Sequence, residues 1–303
     1  KITSTMKYVV TGGAGFIGNN IVKLLIKKGH NVDVIDNLHT GKKENLKEVS
    51  DEINFYKVDI RNKEKLEKIV KNCDGVFHQA ALTSVPESFE KAKEYHDVNV
   101  IGTKNIFDIA KKEKIRVIYA SSSSIYGNVM NIPIKENTHR KPINPYGQTK
   151  LDDEFLADEF SKEGLLVIGL RYFNVYGIGQ TGTYAGVITK FLEKIKEKKP
   201  LIVNCDGNQV RDFIHVRDIA RANVVAMENK IKKGFFNIGT GIPTSINDLA
   251  KIMISLSGQK LEIIHGTELK GDIKNSQADM EFTKQKINWN HEIELDEGLK
   301  ELI

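Results

Sequence analysis

The sequence predicts an α/β fold, a doubly wound parallel sheet with a smaller interleaved α/β unit, and three observations predict it. Short apolar runs alternate with stretches of helical periodicity through the first half. A glycine-rich turn separates the first apolar run from the first helical stretch. After Tyr172 the alternation degrades, so the later chain does not simply extend the same sheet.

The elements follow in order. YVVTG (8–12) is a short apolar run ending in glycine, and residues 15–28 then carry Phe16, Ile17, Ile21, Leu24 and Leu25 at helical spacing. NVDVID (31–36) and INFYKVDI (53–60) read as the second and third strands. Between 62 and 71, Leu66, Ile69 and Val70 mark another helix. GVFHQAA (75–81) and IRVIYASS (115–122) read as buried strands on either side of a long helical stretch at about 96–112. A helix from about 145 to 163 leads into the strand LLVIGLRYF (165–173). Such alternation implies a parallel sheet covered on both faces, and right-handed crossovers make it doubly wound. Further on, a helix at about 184–198, short strands near 201–204 and 235–238, and a helix at about 246–257 do not extend the regular alternation, so a smaller, interleaved unit is expected in this part of the chain. The segment 211–227 is expected to return to the first unit. The expected division is residues 6–173 with a return segment at about 208–240, against about 174–207 and 241–303.

At 303 residues, 40% hydrophobic and 28% charged, the composition is ordinary for a soluble globular protein. No apolar run reaches the roughly 18 residues that span a bilayer. The N-terminal KITST carries no apolar stretch of the kind an export signal needs, and Met6 is the expected natural start. Cys73 and Cys205 form no CxxC pair, which argues against a cysteine metal site or a disulfide framework and fits a reducing, cytoplasmic setting. The formal charge of +5 is spread as lysine in short clusters such as Lys42-Lys43 and Lys198-Lys199. Solvated helix faces account for it better than a nucleic-acid stripe, and it suits an anionic, phosphate-bearing substrate.

TGGAGFIG (11–18) follows the first strand and opens the first helix. Gly12, Gly15 and Gly18 permit a tight turn and let backbone N–H groups approach a pyrophosphate at a helix N-terminus. A lone glycine triplet also suits a purely structural turn. Asp36, closing the second strand, adds an acceptor for ribose hydroxyls that repels a 2′-phosphate, so the pattern is that of a Rossmann-type site favouring NAD over NADP. Asp59-Ile60 and Gln79-Ala80-Ala81 end the third and fourth strands at the same sheet edge, where packing alone is the other reading. ASSSSIYG (120–127) ends the fifth strand in four hydroxyls that a core does not want, though a turn or helix cap would use them too. NPYGQTK (144–150) places Tyr146 and Lys150 four apart, on one face of a helix. A free tyrosine, with a pKa near 10, is a poor base, and a nearby ammonium favours its phenolate. By itself such a pair also occurs on exposed helices.

Taken in this order, the motifs resemble the extended short-chain dehydrogenase/reductase superfamily and, more narrowly, its UDP-hexose 4-epimerase group. The likeness covers TGGAGFIG, DNLHTGKKENL, HQAALTSVPES, NVIGT, SSSSIYG, NPYGQTK, RYFNVYG and GNQVRDFIHVRD. The resemblance implies NAD held by Gly12, Gly15, Phe16, Ile17, Gly18, Asp36, Asn37, Asp59, Ile60, Gln79, Ala80, Ala81, Asn99, Tyr146 and Lys150. It implies Tyr146 as the base, Lys150 on the nicotinamide ribose, and Ser122, four residues before Tyr126, on the reacting sugar hydroxyl. Dehydratases and decarboxylases of the group carry an acid just before the aliphatic-Tyr-Gly, where this chain has Ser123 and Ser124. Oxidation and re-reduction at C4 of a UDP-hexose is therefore implied, with no net redox change. The alternatives are another nucleotide-sugar enzyme, such as a uronate epimerase, and a non-catalytic dinucleotide-sensing module.

The resemblance also implies substrate contacts from Ser84, Ser123, Val187, Asn174, Ile202, Asn204, Arg211, Asp272 and Ser276. Asn174 and Arg211 would hold the diphosphate and ribose, and Ile202 and Asn204 the uracil; for Arg211 an ion pair with Asp212 or Asp218 is the other reading. The family's Arg-x-Gly-Asp is here Glu268-Leu-Lys-Gly-Asp, so Leu269 replaces the arginine, and either Lys270 beside it substitutes or the grip on the diphosphate is weaker. In the group the position four residues after that Asp bounds the room beside the sugar's C2 substituent, and the small Ser276 there implies that UDP-GlcNAc and UDP-GalNAc are accepted along with UDP-Glc and UDP-Gal. Helices near 96–112 and 145–163 are expected to pair two chains into a homodimer. No metal, nucleic acid or membrane partner is expected.

Overall fold

A computed structural model of the chain describes residues 4–180, 186–269 and 272–303. It begins β1 (Lys7–Thr11), α1 (Phe16–Lys27), β2 (Asn31–Asp36), a 3-10 segment (Lys43–Glu52), β3 (Ile53–Lys57), α2 (Lys63–Val70) and β4 (Gly75–His78). Two short helices follow, α3 (Val85–Glu90) and α4 (Ala92–His96), then a π turn (Asp97–Ile101) that runs into α5 (Gly102–Glu113). Next come β5 (Arg116–Ser122), a 3-10 turn (Ser123–Tyr126), α6 (Pro145–Lys162), β6 (Val167–Tyr172) and β7 (Asn174–Tyr176). The remainder is α7 (Val187–Lys196), β8 (Leu201–Asn204), β9 (Val210–Arg211), β10 (Phe213–His215), α8 (Val216–Glu228), β11 (Lys233–Ile238), β12 (Thr244–Ser245), α9 (Ile246–Ser257), β13 (Ile263–Gly266), α10 (Glu281–Ile287) and α11 (Leu295–Lys300).

Seven strands form one parallel sheet in the order β11-β6-β5-β4-β1-β2-β3. The chain winds outward from β1 to β3 and then returns to β4, so the switch point lies between β1 and β4. Both faces are covered, which is why the strands read as continuous apolar runs. Ile21, Val22 and Leu25 of α1 and Ile219 and Val224 of α8 pack one face. Leu66 of α2, Ile106 and Phe107 of α5, and Ala157 and Phe160 of α6 pack the other. A third core joins Phe191, Leu201, Val203, Leu249, Met253 and Leu299, with β8 and β13 paired in parallel beside it.

Several expectations change. The strand near 235–238 does extend the regular alternation: as β11 it pairs in parallel with β6 and is the seventh strand of the main sheet. The stretch expected at 241–303 is not continuous with the third core. Ala278, Met280, Ile287 and Trp289 belong to the sheet's core, with Ile134 bridging to Ala278. The third strand stops at Lys57, and just beyond it the Asp59 carboxylate accepts the N–H of Arg61 at 2.9 Å, a local bond that competes with the ladder. The helical stretch at about 96–112 starts earlier and is interrupted by the π turn. At α6 the chain follows local rules closely. The Asn144 side chain caps the N–H of Gly147 at 2.7 Å, and Pro145 sits in the first turn, where it forfeits no helical bond.

Candidate active site

The carboxyl ends of β1 and β4 open onto a cavity of about 570 Å³. Gly12 has a φ of +67°, and a Cβ there would stand 2.8 Å from the backbone nitrogen of Ala80. A Cβ at Gly18 would stand 2.0 Å from the carbonyl oxygen of Gly12. Only glycine allows this closeness. Gly15 precedes α1 and offers no side chain to its first-turn N–H groups, and Phe16, Ile17 and Gly18 line the cavity there. The Asp36 carboxylate accepts from Ala14 N at 3.0 Å and Leu38 N at 2.8 Å, while burial raises its pKa against the lowering effect of those bonds. Asn37, Asp59, Ile60, Gln79, Ala80 and Ala81 complete this side. A cradle of backbone donors beside a carboxylate acceptor fits the pyrophosphate and ribose of NAD.

A buried column holds the floor in place. The Thr11 hydroxyl accepts the N–H groups of Gln79 (3.1 Å) and Ala80 (3.2 Å) and lies 2.6 Å from His78 Nδ1. His78 Nε2 lies 2.9 Å from the Thr103 hydroxyl. With Thr11 donating to Nδ1, the ring carries its proton on Nε2 and donates to Thr103. Burial, aided by the charge of Lys150, pushes the His78 pKa down to about 3, so the ring stays neutral.

Ser122, Tyr146 and Lys150 all line the same cavity. β5 delivers Ser122 at its carboxyl end, and the first turn and a half of α6 delivers the other two. The Lys150 ammonium is buried, donates to the Ala120 carbonyl at 2.9 Å and stands 5.9 Å from the Tyr146 ring centre. Ser122 Oγ accepts from Ser124 N at 3.1 Å and lies 2.8 Å from Ser124 Oγ.

Sequence reasoning missed the network that fixes these elements relative to one another. Glu154, fully buried, accepts from Ser121 Oγ (2.6 Å), Arg140 Nη1 (2.9 Å), Arg171 Nε (2.9 Å) and Arg171 Nη2 (2.7 Å). Arg171 also donates to the Tyr126 hydroxyl at 2.8 Å, which donates to Asn237 at 2.6 Å. The clue available was Glu154 four residues after Lys150, on the same helix face. Tyr172, Arg61 and Gln180 also line the cavity and were not foreseen.

Other expected residues lie elsewhere. Asn99 does not line the cavity: it is fully buried, and its amide is used by Leu82 N (2.8 Å), Leu82 O (2.9 Å) and Thr149 (3.0 Å). It therefore braces Leu82, which does line it. Ser84 caps α3, its hydroxyl accepting the N–H of Glu87, and does not line the cavity. Of the expected substrate residues, Asn174 lines the cavity with Ser122, Tyr146 and Lys150, whereas Ser123, Val187, Ile202, Asn204, Arg211, Asp272 and Ser276 do not. Val187 starts α7, next to the cavity-lining Gly186, and Ile202 and Asn204 lie on β8. Three of the others are brought together. Arg211 pairs with Asp272 at 2.6 Å rather than with Asp212 or Asp218, and Ser276 N donates to Val210 O at 3.0 Å. Asp212 instead accepts from Thr240, Gly241 and Ala278, and Asp218 from Arg221, Glu292 and Ile293. Lys270 lies outside the described residues. Among the described residues no group of three or more His, Cys, Asp or Glu is placed to hold a metal ion, and no helix is long and apolar enough to cross a membrane.

Residues 8–239 match the NAD dependent epimerase/dehydratase family. The fold is similar to that of the UDP-N-acetylglucosamine 4-epimerase of Methanobrevibacter ruminantium M1, solved with UDP-N-acetylmuramic acid. The TM-score is 0.94 and identity 37%, over 99% of this chain and 97% of that one. It is also similar to the Thermotoga maritima UDP-glucose 4-epimerase solved with UDP-glucose, with a TM-score of 0.93 and 37% identity over 97% and 96% of the two chains. A UDP-N-acetyl-alpha-D-glucosaminuronate decarboxylase of Bacillus cytotoxicus is 33% identical over 308 residues, 97% of this chain and 96% of that protein.

Proposed function

The chain belongs to the NAD dependent epimerase/dehydratase family, and from that premise we propose that it interconverts UDP-hexoses at C4. One observation carries the reading. Ser122, Tyr146 and Lys150 meet the glycine cradle in one cavity, while positions 123 and 124 hold serines instead of the acid that water loss would need.

Bound NAD supplies the acceptor for the C4 hydride and returns it. Everything else falls to side chains of this chain. Tyr146 takes the proton of the C4 hydroxyl, with the Lys150 cation beside its ring. Lys150 is held to that task by the Ala120 carbonyl. Ser122 donates to the C4 oxygen as it becomes a carbonyl. After the 4-keto sugar presents its other face, Tyr146 returns the proton. Asn174 and Arg211 bind the diphosphate and nucleotide, Arg211 held in place by Asp272. UDP-galactose and UDP-glucose are the first substrate pair. The buried, small Ser276 and the likeness to a UDP-N-acetylglucosamine 4-epimerase support acceptance of the N-acetylated pair as well.

The sheet-bearing part holds NAD, and the part built on β8, β13, α7 and α9 holds the nucleotide sugar. The exposed Ile101 and Phe155, beside α5 and on α6, support pairing of two chains through that face. The free cysteines Cys73 and Cys205 are consistent with a reducing, cytoplasmic setting.

The test is a panel of UDP-sugars, UDP-glucuronate included, with products identified by NMR and no cofactor added. Conversion of UDP-galactose to UDP-glucose is expected. Turnover of UDP-glucuronate alone would replace this reading with a uronate epimerase, and no turnover of any sugar would refute catalysis.

A further inference from the structure

We infer that Gln79 and Asn223 are positioning residues that fix the Tyr172 hydroxyl as a hydrogen-bond acceptor for the nicotinamide carboxamide of NAD, a role independent of which sugar is turned over. Three side chains close a ring at the carboxyl edge of the sheet. Gln79 stands just past β4, Tyr172 ends β6, and the fully buried Asn223 comes from α8 behind them. Tyr172 Oη donates to Gln79 Oε1 at 2.7 Å, Gln79 Nε2 donates to Asn223 Oδ1 at 3.1 Å, and Asn223 Nδ2 donates to Tyr172 Oη at 2.8 Å. One further bond fixes the direction of all three. Asn223 Nδ2 also donates to the Ile219 carbonyl at 3.0 Å, and a carbonyl only accepts, so the amide nitrogen and not its oxygen faces that side. The Asn223 oxygen then faces Gln79 and requires the Gln79 NH₂. The Gln79 oxygen in turn faces Tyr172, and the hydrogen between those two oxygens can come only from the phenol.

A phenol has one hydrogen and two lone pairs. The ring takes the hydrogen and one lone pair. Tyr172 and Gln79 both line the cavity, so toward it the hydroxyl has a lone pair to offer and no proton. Burial raises the Tyr172 pKa, and the neighbouring Tyr146 adds to the rise, so the phenol keeps its hydrogen at neutral pH. The matching ligand group is an N–H donor. NAD carries one at each end, the amine of adenine and the carboxamide of nicotinamide. Tyr172 stands opposite Ser122 in the β5–β6 register, at the reacting end, whereas Asp36 marks the adenine ribose at the other. The carboxamide is therefore the partner. Gln79 is also tied to the cradle, because its backbone N–H donates to Thr11 Oγ at 3.1 Å. The ring thus joins the glycine cradle to the reacting end and sets which way the nicotinamide turns, on which hydride transfer depends.

The test uses 3-acetylpyridine adenine dinucleotide, which replaces the carboxamide NH₂ by a methyl group and keeps the carbonyl. Holoprotein is equilibrated with mixtures of this analogue and NAD, free and bound dinucleotide are separated by ultrafiltration, and both are quantified by chromatography. Melting temperatures confirm folding. The unaltered chain is expected to prefer NAD about 3- to 10-fold, the worth of one neutral hydrogen bond. Tyr172→Phe removes the acceptor and should bring that preference below about 2-fold. Asn223→Leu leaves Tyr172 in place but frees Gln79 to turn its NH₂ toward the phenol. The phenol hydrogen then points into the cavity, and the preference should fall as far. A ring that merely stiffened the wall would weaken both dinucleotides alike and leave their ratio unchanged. No preference in the unaltered chain, or a preference undiminished in either folded variant, would overturn the inference, and the unaltered chain decides alone if neither variant folds. The expected ratios in a chain that turns over no UDP-sugar would leave this inference standing and overturn the C4 reading.

Discussion

Replacing Glu154 by glutamine removes one negative charge from a buried polar network. Glu154 is 0% exposed and Arg171 2% exposed, so water cannot take over the lost interaction. Four donors converge on the carboxylate: Ser121 Oγ, Arg140 Nη1, and Arg171 Nε and Nη2. Glutamine keeps the volume but offers one oxygen where there were two, and its NH₂ group faces donors. The Arg171 cation is left buried and under-compensated, a situation that costs about 3–5 kcal/mol. For a chain of this size each kcal/mol lowers the melting temperature by about 2 °C, so a fall of about 6–10 °C is expected by differential scanning calorimetry. The double variant Glu154→Gln/Arg171→Met, with both charges gone, should recover a large part of that loss. Turnover should fall as well, because Ser121 and Lys150 then lose the anchor that sets β5 against α6. A Glu154→Gln melting temperature within about 2 °C of the unaltered protein would refute this account of the network.

Three further outcomes are expected. Gly18→Ala puts a methyl 2.0 Å from the Gly12 carbonyl, so the β1–α1 turn must open, and NAD should no longer co-elute through gel filtration; retention at the wild-type level would count against the cradle. The neutral His78 ring should show no titration between pH 8 and 5 in NMR of histidine-labelled protein, since its pKa is pushed down to about 3. The unfolded chain protonates this ring below about pH 6.5 and the folded chain does not. Its contribution to stability is therefore complete above pH 6.5 and falls by about 2 kcal/mol on going to pH 5. A midpoint near 6.5 would contradict the buried column. Tyr146→Phe should lower turnover by orders of magnitude with an unchanged melting temperature, and near-normal activity would remove Tyr146 from the proton path.

Local rules in the sequence determined much of this protein. A short apolar run and helical spacing place β2 and α9 to the residue, and the glycine spacing with Asp36 marks the dinucleotide cradle. The four-residue step from Tyr146 to Lys150 puts both on one helix face. Each of these is a short-range property, decided by neighbours within a turn or a strand. Tertiary structure alone decided what depends on pairing across the chain. That Lys233–Ile238 completes the main sheet follows from its pairing with β6, more than 60 residues earlier in the chain. That Asn99 braces Leu82 instead of touching the cavity depends on which face of the π turn meets the β4 end. The partner of Arg211, Asp272, lies 61 residues away and is selected over the adjacent Asp212 because Asp212 is already saturated by backbone donors. A serine run in sequence shows four equivalent hydroxyls. The fold makes them unequal: Ser121 turned to Glu154, Ser122 to the cavity, and Ser124 to Ser122.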